Sequence, residues 1–187
     1  MLASVRYSST VGQRIRGIFG MKINGYEIAA GAKLAGADLP GADLSDARLA
    51  YADLTEADLT EANLSGAALH SANLTGAKLS MANLNKADLD SVNFARADLT
   101  KANLTSSKLV YANLKGADLT DADLTDADLT SADLDSADLS EADLTGAKLS
   151  MATLREAHLS KANLKGANLR FASMKGAGLE GAILRGA

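Results

Sequence analysis

The chain has no cysteine, no tryptophan and one proline, and only seven tyrosines and phenylalanines in 187 residues. Without cysteine there is no disulfide, no thiolate metal site and no thiol chemistry, and the redox compartment is left open. No run of 18 apolar residues occurs, which excludes a membrane-spanning helix. Aromatic side chains are too sparse, and the central body too acidic, for nucleic-acid bases to stack on them, so direct nucleic-acid binding is not expected. The two histidines, His70 and His158, stand 88 residues apart. The many Ser and Thr residues have no adjacent base to activate them, and no glycine loop precedes a helix to cradle phosphate. No catalytic residue, cofactor site or metal site is therefore expected.

What the chain does have is leucine at every fifth position from Leu34 to Leu184, 31 sites in which only Phe94 and Met174 differ. Two residues before each stands Ala, from Ala32 to Ala182, except at Val92 and Ser107. A period of five fits neither common element. In an α-helix it would drift the leucines by 140° per step, leaving no apolar stripe. In a flat strand an odd period would send successive leucines to opposite faces. Within one unit, however, Ala and Leu are two residues apart and share a face when extended. Asp, Asn, Gly, Ser and Thr fill the other positions and suit corners. The pattern thus predicts one short extended segment and one corner per unit, coiling around stacked Leu and Ala.

The units, of the form Ala-(Asp/Asn)-Leu-(Ser/Thr)-X, closely resemble those of the pentapeptide repeat family over residues 32–186, without an insertion or deletion. The resemblance implies an all-β fold, a right-handed quadrilateral β-helix with four units per coil and nearly eight coils. Leu and Ala would point inward and the other three positions outward. At one strand spacing per coil the rod would be roughly 37 Å long, with the two histidines about 21 Å apart along it. A narrow rod of this kind leaves no room for an internal pocket. Pro40 would sit at an outward corner. Val92 and Phe94 enlarge both inward positions of one unit; a local packing bulge is the expectation there, a binding cavity the alternative.

Residues 1–31 precede the repeat as a leader or cap, and 32–187 form the repeat domain. Ser9 or Thr10 could cap a short helix over 10–19 carrying Val11, Ile15, Ile18 and Phe19 and ended by Gly20. Lys22 to Ala30 reads as an extended lead-in. A cap over the first coil competes with an organelle transit peptide or a membrane-surface helix, since the segment holds Arg14 and Arg16 and no acid before Glu27. A cytoplasmic location is expected unless the leader directs the chain to an organelle. At the other end the repeat runs to Ile183 and Leu184, predicting an exposed apolar coil that a second copy would cover as an end-to-end homodimer.

Charge is segregated along the chain. Residues 1–36 carry Arg6, Arg14, Arg16, Lys22 and Lys33 against Glu27, and 148–187 carry seven bases against Glu156 and Glu180, so the net −4 leaves −13 on residues 37–147. Between Lys115 and Lys148 there is no base to offset the acids. A 20-residue coil would stack Asp98, Asp118 and Asp138 in one column and Asp123 with Asp143 in another. With Asp121, Asp126, Asp128 and Asp133 they define an acidic belt. Three readings of the belt compete: hydrogen bonding at the corners, imitation of a phosphate backbone, and divalent-cation binding through oxygen ligands. The same register stacks Asn63, Asn83 and Asn103, and Asn73, Asn93 and Asn113, into amide ladders. One outward column, holding Tyr51, Tyr111, Met151 and Phe171 between serines, is apolar. Tyr111, Met151 and Phe171, with Ile183 and Leu184, are the candidate partner or dimer surface.

The expected function is a rigid, non-catalytic scaffold for protein–protein interaction. The resemblance implies a rival, because fluoroquinolone-resistance members of the family are acidic, DNA-shaped rods that occupy the DNA saddle of gyrase and topoisomerase IV. Those members often use Phe at the central position and carry a C-terminal dimer helix, whereas this chain uses Leu and ends without one. A membrane- or organelle-associated scaffold, resting on the basic leader, is the third alternative.

Overall fold

A computed structural model of the protein describes residues 15–17 and 20–187. Its repeat region is a β-helix solenoid in which the residue before each Leu bridges, in parallel, the residue 20 positions on, from Lys33↔Asp53 to Asn163↔Ile183. One coil is therefore four five-residue units, with one face and one corner per unit. Three backbone hydrogen bonds per unit tie neighbouring coils, as in Asp53 N–H to Ala32 O (2.9 Å), Leu54 N–H to Asn73 O (2.7 Å) and Glu56 N–H to Thr75 O (2.9 Å). A fourth, Ala57 N–H to Leu54 O at 3.0 Å, closes the turn within the unit. Each unit contributes a single bridge residue and no strand, because the extended stretch is cut by a corner every fifth residue.

The corner has a fixed conformation. Every fifth residue from Gly31 to Gly186 has a positive φ, as with Gly116 (64°), Tyr111 (59°) and Asp121 (59°). This is the third position of a four-residue turn, the place a type II turn reserves for Gly or Asn.

Leu and Ala point inward as their spacing predicts, and the leucines from Leu34 to Leu164 are buried. Two exceptions to the pattern are absorbed without distortion. Val92 and Phe94 are both fully buried while the ladder beside them stays regular, Phe94 N–H reaching Asn113 O at 2.7 Å. The larger side chains of this unit leave the backbone register unchanged. Buried Ser107 is satisfied by donating its hydroxyl to Leu104 O at 2.7 Å.

Ahead of the repeat, β1 (Ile15–Gly17), β2 (Gly20–Ile23) and β3 (Tyr26–Ile28) form an antiparallel meander. The helix anticipated over 10–19 is corrected where the structure describes it: Ile15–Gly17 is a strand paired with Gly20–Lys22, and Gly20 begins the next strand. The rest of that anticipated helix, including Ser9, Thr10, Val11, Ile18 and Phe19, lies outside the described residues. Strand β2 then turns back into β3 through a hairpin. Asn24 and Gly25 both have positive φ (51° and 86°), the requirement of a two-residue type I′ turn. That turn places Ile23 and Ile28 in the core of the first coil. Asn24 donates its amide to Asp38 O, and Asp38 N–H donates to the Tyr26 hydroxyl, each at 3.4 Å. Among the described residues no helix is long and apolar enough to cross a membrane.

Candidate functional site: an acidic half and a neutral apolar edge

The 20-residue register assigns every outward side chain to one of four faces or four corners. Asp98, Asp118 and Asp138 stack on one face, in line with Asp38, Asp58 and Lys78 of the coils before them. Asp123 and Asp143 stack on the next face, in line with Asp43. Asp121 lies at the corner these faces share, with Glu61 and Glu141. Counting Lys78, Lys101, Lys161 and Glu180, this half of the rod carries −9. The other two faces and their shared corner hold Lys33, Arg48, Lys108, Lys148 and Arg170 against Asp53, Asp88, Asp90, Asp128 and Asp133, a net charge of zero. The nine belt residues are thus not one surface. Six belong to the acidic half, Asp126 sits at a flanking corner, and Asp128 and Asp133 lie on the neutral half.

At the stacked Asp residues before a Leu, one carboxylate oxygen accepts the backbone N–H two residues on: Thr100 for Asp98 (3.0 Å), Thr120 for Asp118 (3.0 Å), Thr125 for Asp123 (2.9 Å), Ser140 for Asp138 (2.9 Å) and Thr145 for Asp143 (2.9 Å). The bond relieves a backbone donor at the corner. Asparagine does the same work, with Asn63, Asn83 and Asn113 accepting from Ser65, Asn85 and Lys115 at 3.1–3.2 Å. The amides also climb the predicted ladders, Asn113 donating to Asn93 at 2.9 Å and Asn83 to Asn63 at 3.2 Å. A corner therefore needs the oxygen and not the charge.

The expectation that nothing offsets the acids is corrected at one junction. Bases of the following coil reach back to Asp128 from Lys148 (3.1 Å), to Asp135 from Arg155 (2.5 Å) and to Glu141 from Lys161 (2.7 Å). Asp135 was absent from the candidate set, yet its carboxylate is buried and takes both the backbone N–H and the guanidinium of Arg155. These hydrogen bonds hold its pKa below the usual carboxylate value against the opposing effect of burial. Burial pushes the Asp128 carboxyl up, but hydrogen bonds from Thr130 and Lys148 outweigh it and lower the pKa. Asp118, Asp121, Asp123 and Asp143 have no such cation among the described residues.

The apolar column follows the corner diagonally opposite the acidic one. Tyr51, Tyr111, Met151 and Phe171 are exposed there by 67, 69, 61 and 81%. Of the four corners this alone carries no charged residue at its left-handed positions, although Asp90 and Arg170 stand one residue before them. All four side chains sit at left-handed backbone, with φ between 59° and 62°. Ile183 and Leu184 are exposed too, but on the last coil of an acidic face, apart from this edge.

Each histidine lies beside an aspartate of a neighbouring coil. His70 Nδ1 is 3.5 Å from Asp88 and its ring meets Tyr51 edge-on, while His158 Nδ1 is 3.9 Å from Asp138. Among the described residues no hydroxyl hydrogen-bonds to either, and no three His, Asp or Glu side chains gather as a metal site.

The comparisons with known proteins agree with this architecture. HetL of the cyanobacterium Nostoc sp. strain PCC 7120, a pentapeptide repeat protein involved in heterocyst differentiation regulation, is 41% identical, with 84% of this chain and 81% of that chain covered and a TM-score of 0.54. The Nostoc pentapeptide repeat protein alr5209 is 45% identical over 43% of this chain and 65% of its own, with a TM-score of 0.42. QnrB1, a plasmid-mediated fluoroquinolone resistance protein, is 18% identical over 75% of this chain and 76% of its own, at a TM-score of 0.39, a likeness too slight to carry function. No curated protein sequence matches. The pentapeptide repeats family model matches overlapping stretches, 30–66, 67–105, 97–135, 112–150, 122–160 and 147–186. The chain belongs to the pentapeptide repeat family.

Proposed function

We propose that this protein is a non-catalytic rod, a right-handed β-helix of nearly eight coils, that binds a basic protein surface through its acidic half. The observation that carries the reading is the interchangeability of Asp and Asn at the corners. Asn63 to Asn113 satisfy the turn without charge, so the carboxylates of Asp118, Asp123, Asp138 and Asp143 are surplus to the fold. Stacking them about one strand spacing apart costs repulsion that a basic partner surface would relieve.

A narrower reading makes the acidic half a stand-in for DNA before a type II topoisomerase. It is favoured locally, because Asp118, Asp121, Asp123, Asp138, Glu141 and Asp143 occupy two adjacent coils. That is about one charge per 1.6 Å of rod, close to the roughly 1.7 Å of duplex. The match extends over only about 10 Å, against about 34 Å for a helical turn of DNA, and Glu141 is already paired with Lys161. A partner touching a short patch fits this better than one gripping a full turn.

The test compares the parent with a chain in which Asp118, Asp123, Asp138 and Asp143 are all changed to Asn. Crosslinking in native cells is expected to trap partners on the parent that the variant loses; identical partners on both would remove the acidic half from the interaction. Gyrase supercoiling in the presence of each chain separates the readings. Inhibition by the parent alone identifies a topoisomerase, and no inhibition by either sets the DNA-mimic reading aside.

A further inference from the structure

We propose that two copies of this chain pair side by side and antiparallel along the apolar, net-neutral edge, with Tyr111 of each on the two-fold axis. The proposal is independent of the acidic half, which faces outward in such a pair.

The spacing of the apolar residues carries it. Tyr51 lies three coils before Tyr111 and Phe171 lies three coils after it, about 14 Å on either side. A two-fold axis through Tyr111 therefore sets Tyr51 against the partner's Phe171, and Phe171 against the partner's Tyr51. Val110 and Tyr111 meet their own copies at the centre, and Met151 falls opposite a serine. An isologous contact demands this kind of self-complementarity. A pattern serving an unrelated partner has no reason to be symmetric about one residue.

Charge permits the same contact and opposes others. The acidic half, at −9, repels its own copy, whereas the edge and its flanks sum to zero. One flank is the neutral Asn73, Asn93 and Asn113 ladder. Beside Phe171, Arg170 lies 5.7 Å from the ring centroid, within reach of the partner's Tyr51 ring as well. The backbone adds a second observation. Each bulky side chain occupies a left-handed corner that glycine fills at Gly116, Gly146 and Gly176, so the fold itself disfavours them there.

Sedimentation equilibrium of the full chain is expected to show a reversible dimer. Tyr111→Asn, which left-handed backbone tolerates, should weaken it by at least about tenfold. Met81→Asn, an equivalent change at an exposed corner of the acidic half, should leave it unchanged. Because the chain lacks cysteine, oxidation of single-cysteine variants then reads the register. Tyr111→Cys should crosslink to itself. Tyr51→Cys should crosslink only when mixed with Phe171→Cys. A monomer at every concentration overturns the proposal, as does a dimer indifferent to Tyr111→Asn or one that crosslinks through Ile183→Cys at the rod's end.

Discussion

At the scale of single residues, the corner decides what a side chain costs. Tyr111 holds φ at 59°, where an L-residue with a Cβ is disfavoured by roughly 1–2 kcal/mol. Part of that is returned by the greater entropy glycine has in the unfolded chain. Tyr111→Gly is therefore expected to stabilise the rod by about 1 kcal/mol, read as a higher urea midpoint at unchanged slope. Tyr111→Val, β-branched at the same φ, should lower the midpoint. Asp135 makes a different prediction. Its folded-state pKa is lowered from 3.8, chiefly by the Arg155 hydrogen bond, so its stabilisation is present above the unfolded value and lost as pH falls through the folded one. Asp135→Asn should lower the midpoint at neutral pH, with the difference from the parent shrinking as pH falls below the unfolded carboxyl value and through the lowered folded one. None of this was visible beforehand. The sequence has Gly, Ser, Glu, Lys, Tyr and Phe at the left-handed corners, a mixture that disguises a single conformation. Asp135 looked like any acid of the belt until a coil placed Arg155 beneath it.

At the scale of the repeating unit and the first strands, legibility divides along the chain. The five-residue period identified inward Leu and Ala because an odd period with an i, i+2 pair admits only an extended segment and a corner. Four units per coil came from the resemblance, and the 20-residue bridges agree with it. The helix anticipated over 10–19 failed where Ile15–Gly17 is a strand. An apolar spacing of three and four around Val11, Ile15, Ile18 and Phe19 suggested a helix, while Asn24-Gly25 between Met21, Ile23, Tyr26 and Ile28 was the stronger, overlooked signal for a hairpin. Energetics at this scale follow from burial. Leu104 is fully buried in the middle of the stack, where the fixed register allows little collapse. Leu104→Ala should cost about 2–5 kcal/mol, measured by denaturant unfolding. Leu169, only partly buried against the core, should cost less when changed likewise.

At the scale of the whole molecule, the net charge of −4 conceals a rod that is acidic on one side and balanced in charge on the other. The segregation along the chain was legible by counting. The segregation around the axis was not, because it appears only when the exact register assigns each residue a face. That register dispersed Asp126, Asp128 and Asp133 from the belt and separated Ile183 and Leu184 from the aromatic edge. A partner held by the acidic half should be released by salt, since exposed charges are screened beyond about 8 Å at physiological ionic strength.

The functional reading depends on the carboxylates of that half being dispensable to the fold. Equilibrium urea unfolding of the chain with Asp118, Asp123, Asp138 and Asp143 all changed to Asn, at neutral pH and low salt, tests this directly. The predicted midpoint equals or exceeds the parent's, because each amide keeps the corner hydrogen bond and the stacked repulsion is gone. A clearly lower midpoint would contradict the account, since the carboxylates would then be holding the rod together instead of waiting for a partner.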